Sequence, residues 1–530
     1  MSLLDALLLD PYPLNVYIAA RTDGIKGSGT INDPWDGSSV DKFDGILSAI
    51  PASTKARIHL SPGTFQTRGY ADGVTGAGWS PQEKWSIVGS GLDLTILQLV
   101  AGSTVNQHYF AIGHPLGSSG TRVDYLSVTD LTIDCNLPTT SVACGAIRIM
   151  GDHVRIRRVK AKNWGTRSSS QPTCSVLAVI IADPEAANTA AADAGIEDCM
   201  VVEPSANNTG SANLLSAGSK DFSTDQEVYA NAPFIRNCFV DCGAASVPSA
   251  AFRGFYMASC RGGIVEANHI HNTTFGGPWV DKLSTPEIII RNNYLKNVLY
   301  GIVWTMGTTM AANRTLSSLS RDGTKATATV NASSSVSHGL AIGDRVKIQT
   351  SSASDFEGFW EITEIPQPNQ FRYLTDKSSG SATGPSMYKV FGVDKAVVEG
   401  NTIELAPIIS GSPPLGVQLS DNSLITSPPP YVHGEIIIRN NKIRYLDGLL
   451  DPAYVGTGMQ LSSAKHLFVR DNVIECVPAS PLQNFRCGTV KYFNNRTPSG
   501  ALIRGYDGAT TNKYSELETD AEDALLLTLI

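Results

Sequence analysis

The sequence predicts an all-β chain wound as a parallel β-helix, with a short helix capping its start and a small β domain inserted late. Three observations carry this. Charged residues make up only 17% of the 530-residue chain, against roughly 25% in an average soluble protein. The 48 glycines and abundant Ser, Thr and Asn suit many short strands joined by polar turns. One short pattern then recurs: two or three apolar residues, a polar pair, an Asn, any residue, and another apolar residue. Its copies are separated by the length of a solenoid coil, in which each unit buries its apolar face only against its neighbours.

The clearest copies are Gly263-Ile264-Val265-Glu266-Ala267-Asn268-His269-Ile270 and Ile288-Ile289-Ile290-Arg291-Asn292-Asn293-Tyr294-Leu295. Val397-Val398-Glu399-Gly400-Asn401-Thr402-Ile403, Ile436-Ile437-Ile438-Arg439-Asn440-Asn441-Lys442-Ile443 and Leu467-Phe468-Val469-Arg470-Asp471-Asn472-Val473-Ile474 follow. Earlier copies place Cys199, Cys238 or Val159 where the later ones place Asn; the cysteines read as small buried hydrophobes. From Asn268 to Asn293 is 25 residues, from Asn401 to Asn441 is 40, and from Asn441 to Asn472 is 31. Asn293 and Asn401 are 108 apart, and removing a 77-residue insert at 313–389 leaves 31, one ordinary coil. A sharp turn between two short strands favours a residue that tolerates the left-handed region, as Asn does. Stacked in successive coils, buried Asn amides can also donate and accept along the stack.

These stacked Asn positions resemble the asparagine ladder of right-handed parallel β-helices in the pectate-lyase-like superfamily. The resemblance covers most of residues 20–500 and implies a right-handed winding and a scaffold that usually handles polysaccharides. Ile58-His59-Leu60-Ser61-Pro62-Gly63-Thr64-Phe65 looks like the opening strand and turn of that superfamily. Trp85 to Gly91 with Thr95-Ile96-Leu97 looks like its next coil, and Leu131-Thr132-Ile133-Asp134-Cys135-Asn136 like an early turn that assigns Asp134 to the turn. Asp41 to Ile50 reads as an amphipathic helix, with Phe43, Ile46, Leu47 and Ile50 on one face. Such a helix caps the open end of a solenoid.

The insert carries alternating strands bounded by turn residues, the pattern of a small β-barrel or sandwich. Its Ser337-His338-Gly339-Leu340 and Gly343-Asp344-Arg345-Val346-Lys347-Ile348 look like modules of phage virion proteins and large bacterial surface proteins. His338 there fits a turn. The organisation is therefore an N-terminal segment and cap (1–57), a first run of coils (58–312), the insert (313–389), final coils (390–500) and a C-terminal tail or cap (501–530).

Several function classes are excluded. A net charge of −8 supplies no basic stripe to neutralise phosphates, which argues against nucleic acid. The run Arg155-Ile156-Arg157-Arg158-Val159-Lys160 reads instead as the solvent face of a strand. No stretch approaches the ~20 apolar residues of a membrane span, and Leu3 to Leu9, flanked by Asp5 and Asp10, lacks the basic start of a secretory leader. Nine cysteines without a CxxC pair indicate neither a disulfide framework nor a zinc site. No metal or cofactor is expected.

In this fold the outward residues of stacked strands form the ligand groove. Counting about twelve residues back from the ladder gives Tyr256, Asp281 and Gln460, and the same alternation adds Arg148 and Gln418. Trp279 shares the face of Asp281, and Trp304 lies one coil further, its facing left open. Aromatics stack on pyranose faces while amides and carboxylates take the hydroxyls. Glycoside hydrolysis needs two carboxyls about 5–9.5 Å apart, and rungs spaced ~4.8 Å supply that. Asp281 is the first candidate, with Asp183 and Asp421 as partners; each also fits a turn at a strand end. A lyase would need a Lys or Arg base, for which Lys282 and Arg253 are the candidates, although alternation points Lys282 away from Asp281. The Gly-His-Gly and Arg-Ile-Lys motifs of polygalacturonases are absent, as is the Arg-x-Pro-x-x-Arg motif of pectate lyases.

The expected function is a virion- or cell-surface β-helix that binds, and on an open question cleaves, a polysaccharide in the manner of phage tailspikes. A secreted polysaccharide lyase or glycoside hydrolase is the second reading. A non-catalytic adhesin or structural β-helix is the third. The tailspike resemblance implies a homotrimer. The Asp-Ala-Leu-Leu-Leu runs at Asp5–Leu9 and Asp523–Leu527 leave end-to-end self-assembly open, since exposed apolar ends must be covered.

Overall fold

The computed structural model describes residues 14–507 apart from 70–77, 101–107, 114–121, 138–142, 167–173, 181–192, 219–229, 244–251, 281–284, 309–313, 331–339, 350–355, 375–380, 407–413, 421–432, 447–456 and 476–481. Positions 53, 209, 259, 278, 306, 323–324, 357, 383–385, 392, 463, 486, 488 and 504–505 also lie outside it. The chain divides into two compact units. The first comprises Met1–Lys220, Val228–Pro278 and Asn293–Leu299, and the second Asp221–Glu227, Trp279–Asn292 and Tyr300–Ile530. Both are built of right-handed parallel coils.

In the first unit each coil contributes two short strands to one parallel sheet and a third strand to another. Leu14–Ala19 already pairs in parallel with Ala56–Leu60, so the coils begin ahead of residue 58. The helix Val40–Ala49 starts at a Ser39 cap whose side chain accepts from the Lys42 N–H. It buries Phe43 and Leu47 beside the strand Gly63–Thr67, with the Phe43 and Phe65 rings 5.3 Å apart. Ile46, expected on the buried face, is only half-buried. Asp44 is buried instead, accepting from Thr67 Oγ1 at 2.6 Å and the Arg68 N–H at 3.1 Å, while burial raises its pKa. In the middle coils, Ile156, Ile196, Ile235 and Val265 occupy one register column and are fully buried. Burying each such side chain contributes about 1.5–3 kcal/mol.

The turn between the two strands of the ladder sheet divides its work between adjacent residues. The left-handed backbone belongs to the residue before the ladder position: Asp198 (φ 55°), Asn237 (52°), Ala267 (54°), Asn292 (55°), Asn440 (55°), Asp471 (55°) and Asn494 (47°). Gly400 (φ 64°) does the same ahead of Asn401. The ladder residue that follows turns inward. In the first unit Asn268 Nδ2 donates to Ile235 O at 3.0 Å and Asn293 Oδ1 at 2.9 Å. Asn293 Nδ2 in turn reaches Val265 O at 3.0 Å. Cys238 and Cys199 fill the same place, and their thiols point to the equivalent carbonyls, Ile196 O at 3.8 Å and Ile156 O at 3.5 Å. They are weak substitutes for the amide donor rather than plain hydrophobes, and burial pushes the Cys199 thiol well above its usual pKa.

In the second unit the ladder runs Asn401, Asn441, Asn472 and then Asn495, a rung the repeat pattern did not reveal. The strands Thr285–Arg291, Val393–Glu399, His433–Arg439, Ala464–Arg470 and Thr489–Phe493 pair in parallel and in register. Ile290, Val398, Ile438 and Val469 form the inner column, each fully buried. Ile289, Val397, Ile437 and Phe468 point to the other face and make a separate apolar cluster. This explains the three consecutive apolar residues in the pattern, since a strand covered on both faces loses its alternation.

Between Tyr300–Thr305 and Val393–Glu399 lies a closed six-stranded antiparallel barrel. Its order runs Arg314–Asp322, Lys325–Val330, Gln370–Leu374, Gly358–Gln367, Arg345–Gln349, Ser386–Phe391 and back to Arg314–Asp322. It has its own core, which includes Leu316, Val346, Trp360, Phe371 and Tyr373. Arg291 still pairs with Glu399 across it, so the coil register continues past the barrel.

Two outcomes follow. Asn441→Ala removes the acceptor of the Asn401 N–H and Nδ2 along with its own bonds to Val398 O and Asn472. Leaving buried donors unsatisfied costs about 1–3 kcal/mol each, so the urea midpoint falls by the equivalent of about 3 kcal/mol. Asn440→Gly, at a left-handed position that glycine accepts, changes it by less than about 1 kcal/mol. The second outcome concerns acid. The Lys42 ammonium, 2.5 Å away, and then Ser38 hold the Asp36 carboxyl down to about 2. A carboxyl lowered in the folded chain stabilises it above its unfolded pKa of ~3.9, and this is lost as pH falls through about 2. The melting temperature of the native protein therefore drops more steeply between pH 4 and pH 2 than that of Asp36→Asn.

Candidate functional site

The sheet formed by the third strand of each coil carries the predicted groove residues. In the first unit the strands are Ala143–Met150, Cys174–Ile180, Ala212–Gly218 and Phe252–Ala258, paired in parallel. Their register sets Arg148, Ala178, Ser216 and Tyr256 in one column. The flanking Ile147, Ile149, Leu177, Val179, Leu215, Phe255 and Met257 are fully buried on the opposite side. Tyr256, chosen by counting back from the ladder, and Arg148, added by alternation, thus share a face three rungs apart, roughly 14 Å at ~4.8 Å per rung. Arg148 is only 6% exposed, and a guanidinium shielded from water attracts an anion or a polarised hydroxyl more strongly than one in bulk solvent. Ser216, 7% exposed, has no hydrogen-bond partner for its Oγ among the described residues.

A second outward column lies three residues earlier along these strands and holds Ser175, Asn213 and Arg253. Arg253 Nη1 donates to Asn213 Oδ1 at 3.1 Å. The two columns share a face because Leu214 and Leu215 are consecutive buried residues, which breaks the period of two. Strict alternation hides Ser216 and Asn213 for that reason. The doubled apolar pair inside Ala212-Asn213-Leu214-Leu215-Ser216 was the available signal.

In the second unit the corresponding strands are Trp279–Val280, Tyr300–Thr305, Leu415–Ser420, Thr457–Ser462, Leu482–Phe485 and Tyr506–Asp507. Trp279, Val303, Gln418, Gln460, Gln483 and Tyr506 occupy one register column. Gln418 Nε2 donates to Gln460 Oε1 at 3.3 Å, so the two predicted glutamines stand side by side, both half-buried. Their inward neighbours Val417, Leu419, Met459 and Leu461 are fully buried.

Trp304 requires a correction. It pairs in register with Val280 and Leu419, the inner column, and is fully buried. It belongs to the core of its unit and cannot stack on a ligand in the groove. Its period places it one residue off the outward column, which the sequence left open.

The three carboxylates assigned to catalysis, Asp183, Asp281 and Asp421, lie outside the described residues, as does the side chain of Trp279. In the sequence Asp281 and Asp421 directly follow the strands ending at Val280 and Ser420, and Asp183 comes three residues after Ile180. His338, Lys282 and the two Asp-Ala-Leu-Leu-Leu runs also fall outside. The described columns hold guanidinium, hydroxyl, phenol and amide groups but no carboxylate. Among the described residues no group of three His, Cys, Asp or Glu side chains is placed to hold a metal ion, and no helix is long and apolar enough to cross a membrane.

No protein-family model matches the chain, and no curated protein matches it. Among solved structures it is similar to the A-module of the Azotobacter vinelandii mannuronan C-5 epimerase AlgE6, at 13% identity and TM-score 0.31 over 86% of this chain and 97% of that one. It is similar also to the polygalacturonase of Erwinia carotovora, at 8% identity and TM-score 0.30 over 93% and 96% of the two chains. A polysaccharide lyase of family PL6 from Pseudopedobacter saltans matches at 10% identity and TM-score 0.28, over 77% and 84%. The parallel β-helix rests on the strand register given above.

Proposed function

We propose that each unit binds a polysaccharide along the outward columns of its own third-strand sheet and that the chain hydrolyses it with carboxylates that follow those strands. The observation that carries this reading is the column Arg148, Ala178, Ser216 and Tyr256. Over three rungs it offers a guanidinium, a hydroxyl and a phenol, the mixture of planar and hydrogen-bonding groups that sugar recognition uses. The Gln418–Gln460 pair presents the same chemistry as amides. Asp281 is proposed as the first catalytic carboxyl with Asp421 as its partner in the second unit; Asp183, the other acid considered as a partner, falls in the first unit. The strands that precede Asp281 and Asp421 lie two rungs apart, roughly 9.6 Å at ~4.8 Å per rung, which is near the wider separation that inversion requires. Arg148 and Tyr256 are proposed to hold sugars on the first unit, and Trp279, Gln418 and Gln460 on the second.

The reading extends to a tailspike-like protein at a virion or cell surface, acting as a homotrimer. Its support is the barrel, whose Gly343-Asp344-Arg345-Val346-Lys347-Ile348 segment resembles modules of such proteins. A sedimenting mass of three chains is the expected result, and a monomer overturns the trimer.

The decisive test is depolymerisation of a polysaccharide panel, following new reducing ends together with unsaturated-uronate absorbance. Reducing ends without absorbance are expected, lost at least 100-fold in Asp281→Asn and unchanged in Trp304→Phe, whose ring is in the core. Absorbance replaces the hydrolase with a lyase and removes the carboxylate assignment. Absence of both signals, with binding intact, removes catalysis.

A further inference from the structure

We infer that the first unit carries a second sugar-binding strip, on the ladder sheet rather than on the sheet of the proposed groove. The class of ligand rests on the polysaccharide reading; the location does not. Each ladder residue is followed by one outward residue, and in successive coils these are Met200, Phe239, His269 and Tyr294, in register. Two residues further along, the same strands present Val202, Asp241, His271 and Lys296, also in register. Between the columns Val201, Val240, Ile270 and Leu295 are fully buried, so the two columns point away from the core.

The rings form one connected cluster. Phe239 meets His271 edge-on at 5.2 Å between centroids, and His271 meets Tyr294 at 5.6 Å. His269 lies 5.7 Å from Tyr294 and 6.3 Å from His271. His269 is exposed, and Phe239, His271 and Tyr294 are half-buried, so four rings reach the surface of a sheet whose neighbouring outward column is ionic. That column reads Arg157, Glu197, Arg236 and Glu266, with Arg236 bonded to Glu197 at 3.0 Å. On the far side Asp241 Oδ1 accepts from the Gly243 N–H at 2.8 Å and from Asn272 Nδ2 at 2.7 Å. Asn297 Nδ2 continues that edge to Asn272 Oδ1, also at 2.7 Å.

The strip is therefore aromatic along its middle, with its rings set edge to face, and hydrogen-bonding along both margins. A chain of pyranose sugars has the complementary profile, since its C–H faces stack on rings while its hydroxyls reach sideways to amides and charges. A second protein is a poorer fit. The ring-bearing rungs Phe239, His269 and Tyr294 span roughly 10 Å at ~4.8 Å per rung, and a stable protein interface buries about 800 Å² on each side. The strip is bordered by ion pairs rather than by further apolar surface.

The test is calorimetric titration of the full chain with cellohexaose, maltohexaose and hexagalacturonate, at matched ionic strength. His269→Ala combined with Tyr294→Ala reads the strip, and Gln418→Ala combined with Gln460→Ala reads the groove. Thermal melting confirms that each variant is folded, and Tyr294→Phe keeps the ring. Aromatic side chains dominate the energetics of the surfaces that they cover, so the strip pair is expected to weaken one hexasaccharide about tenfold or more while Tyr294→Phe stays near the native affinity. Native affinity in the strip pair, with a loss in the glutamine pair, overturns the strip and leaves the groove standing. A loss in the strip pair with none in the glutamine pair supports the strip and counts against the groove. Self-association abolished by the strip pair overturns the sugar assignment in favour of a second copy, and no binding of any hexasaccharide by the native chain overturns strip and groove together.

Discussion

In the later coils a backbone carbonyl of the inward strand receives its hydrogen bond from the side chain that follows the left-handed residue. Such an amide both gives and receives. Asn441 gives protons to Val398 O and Arg439 O while its own oxygen receives from the Asn401 N–H and Nδ2. Asn472 repeats the arrangement with Ile438 O and Asn441. Because each oxygen serves the neighbouring coil, a coil satisfies its polar groups only when the next one is in place. Stability in such a stack is a property of neighbouring pairs, as in other repeat proteins.

The same turn shows why the sequence disclosed the ladder more readily than the turn geometry. Asn is suited both to a left-handed backbone and to a buried amide stack, so a single Asn seemed to serve both needs. The pairs Asn292-Asn293 and Asn440-Asn441 place the two tasks on adjacent residues. Asp198, Ala267 and Gly400 show that the first task accepts several residue types. The second is narrower, because its side chain must donate to a fixed carbonyl. Where the amide is missing, Cys199 and Cys238 supply a thiol directed at the same acceptors, and at Val159 and Leu131 the position is simply apolar. Asn495 escaped notice because the strand before it, Thr489–Phe493, contains Lys491 where earlier copies are apolar.

The length of a coil was legible because the register of parallel strands tolerates additions only in the turns that leave the stack. The barrel is the largest of these additions. It enters after Thr305, and Ile290 still faces Val398 on its far side. Its core is its own, so it adds no apolar residue to the coils and takes none from them. The 31-residue remainder left by subtracting it reflects this independence, which a domain sharing its core with the solenoid would not produce.

The outward positions were legible only where strict alternation held. It held for Arg148, Tyr256, Gln418 and Gln460, which the strands place in two columns, and it could not decide Trp304, which turned inward. It failed at Leu214-Leu215, where a doubled buried pair shifted Asn213 and Ser216 onto one face. It was never applied to the residue after each ladder position, because the repeat assigns that place to any residue. A solenoid repeat is defined by what the core demands, and those positions are alike for that reason. The positions left unspecified are the ones free to differ between coils, so the run of Phe239, His269 and Tyr294 at a nominally free position is not dictated by the core, as the ladder is.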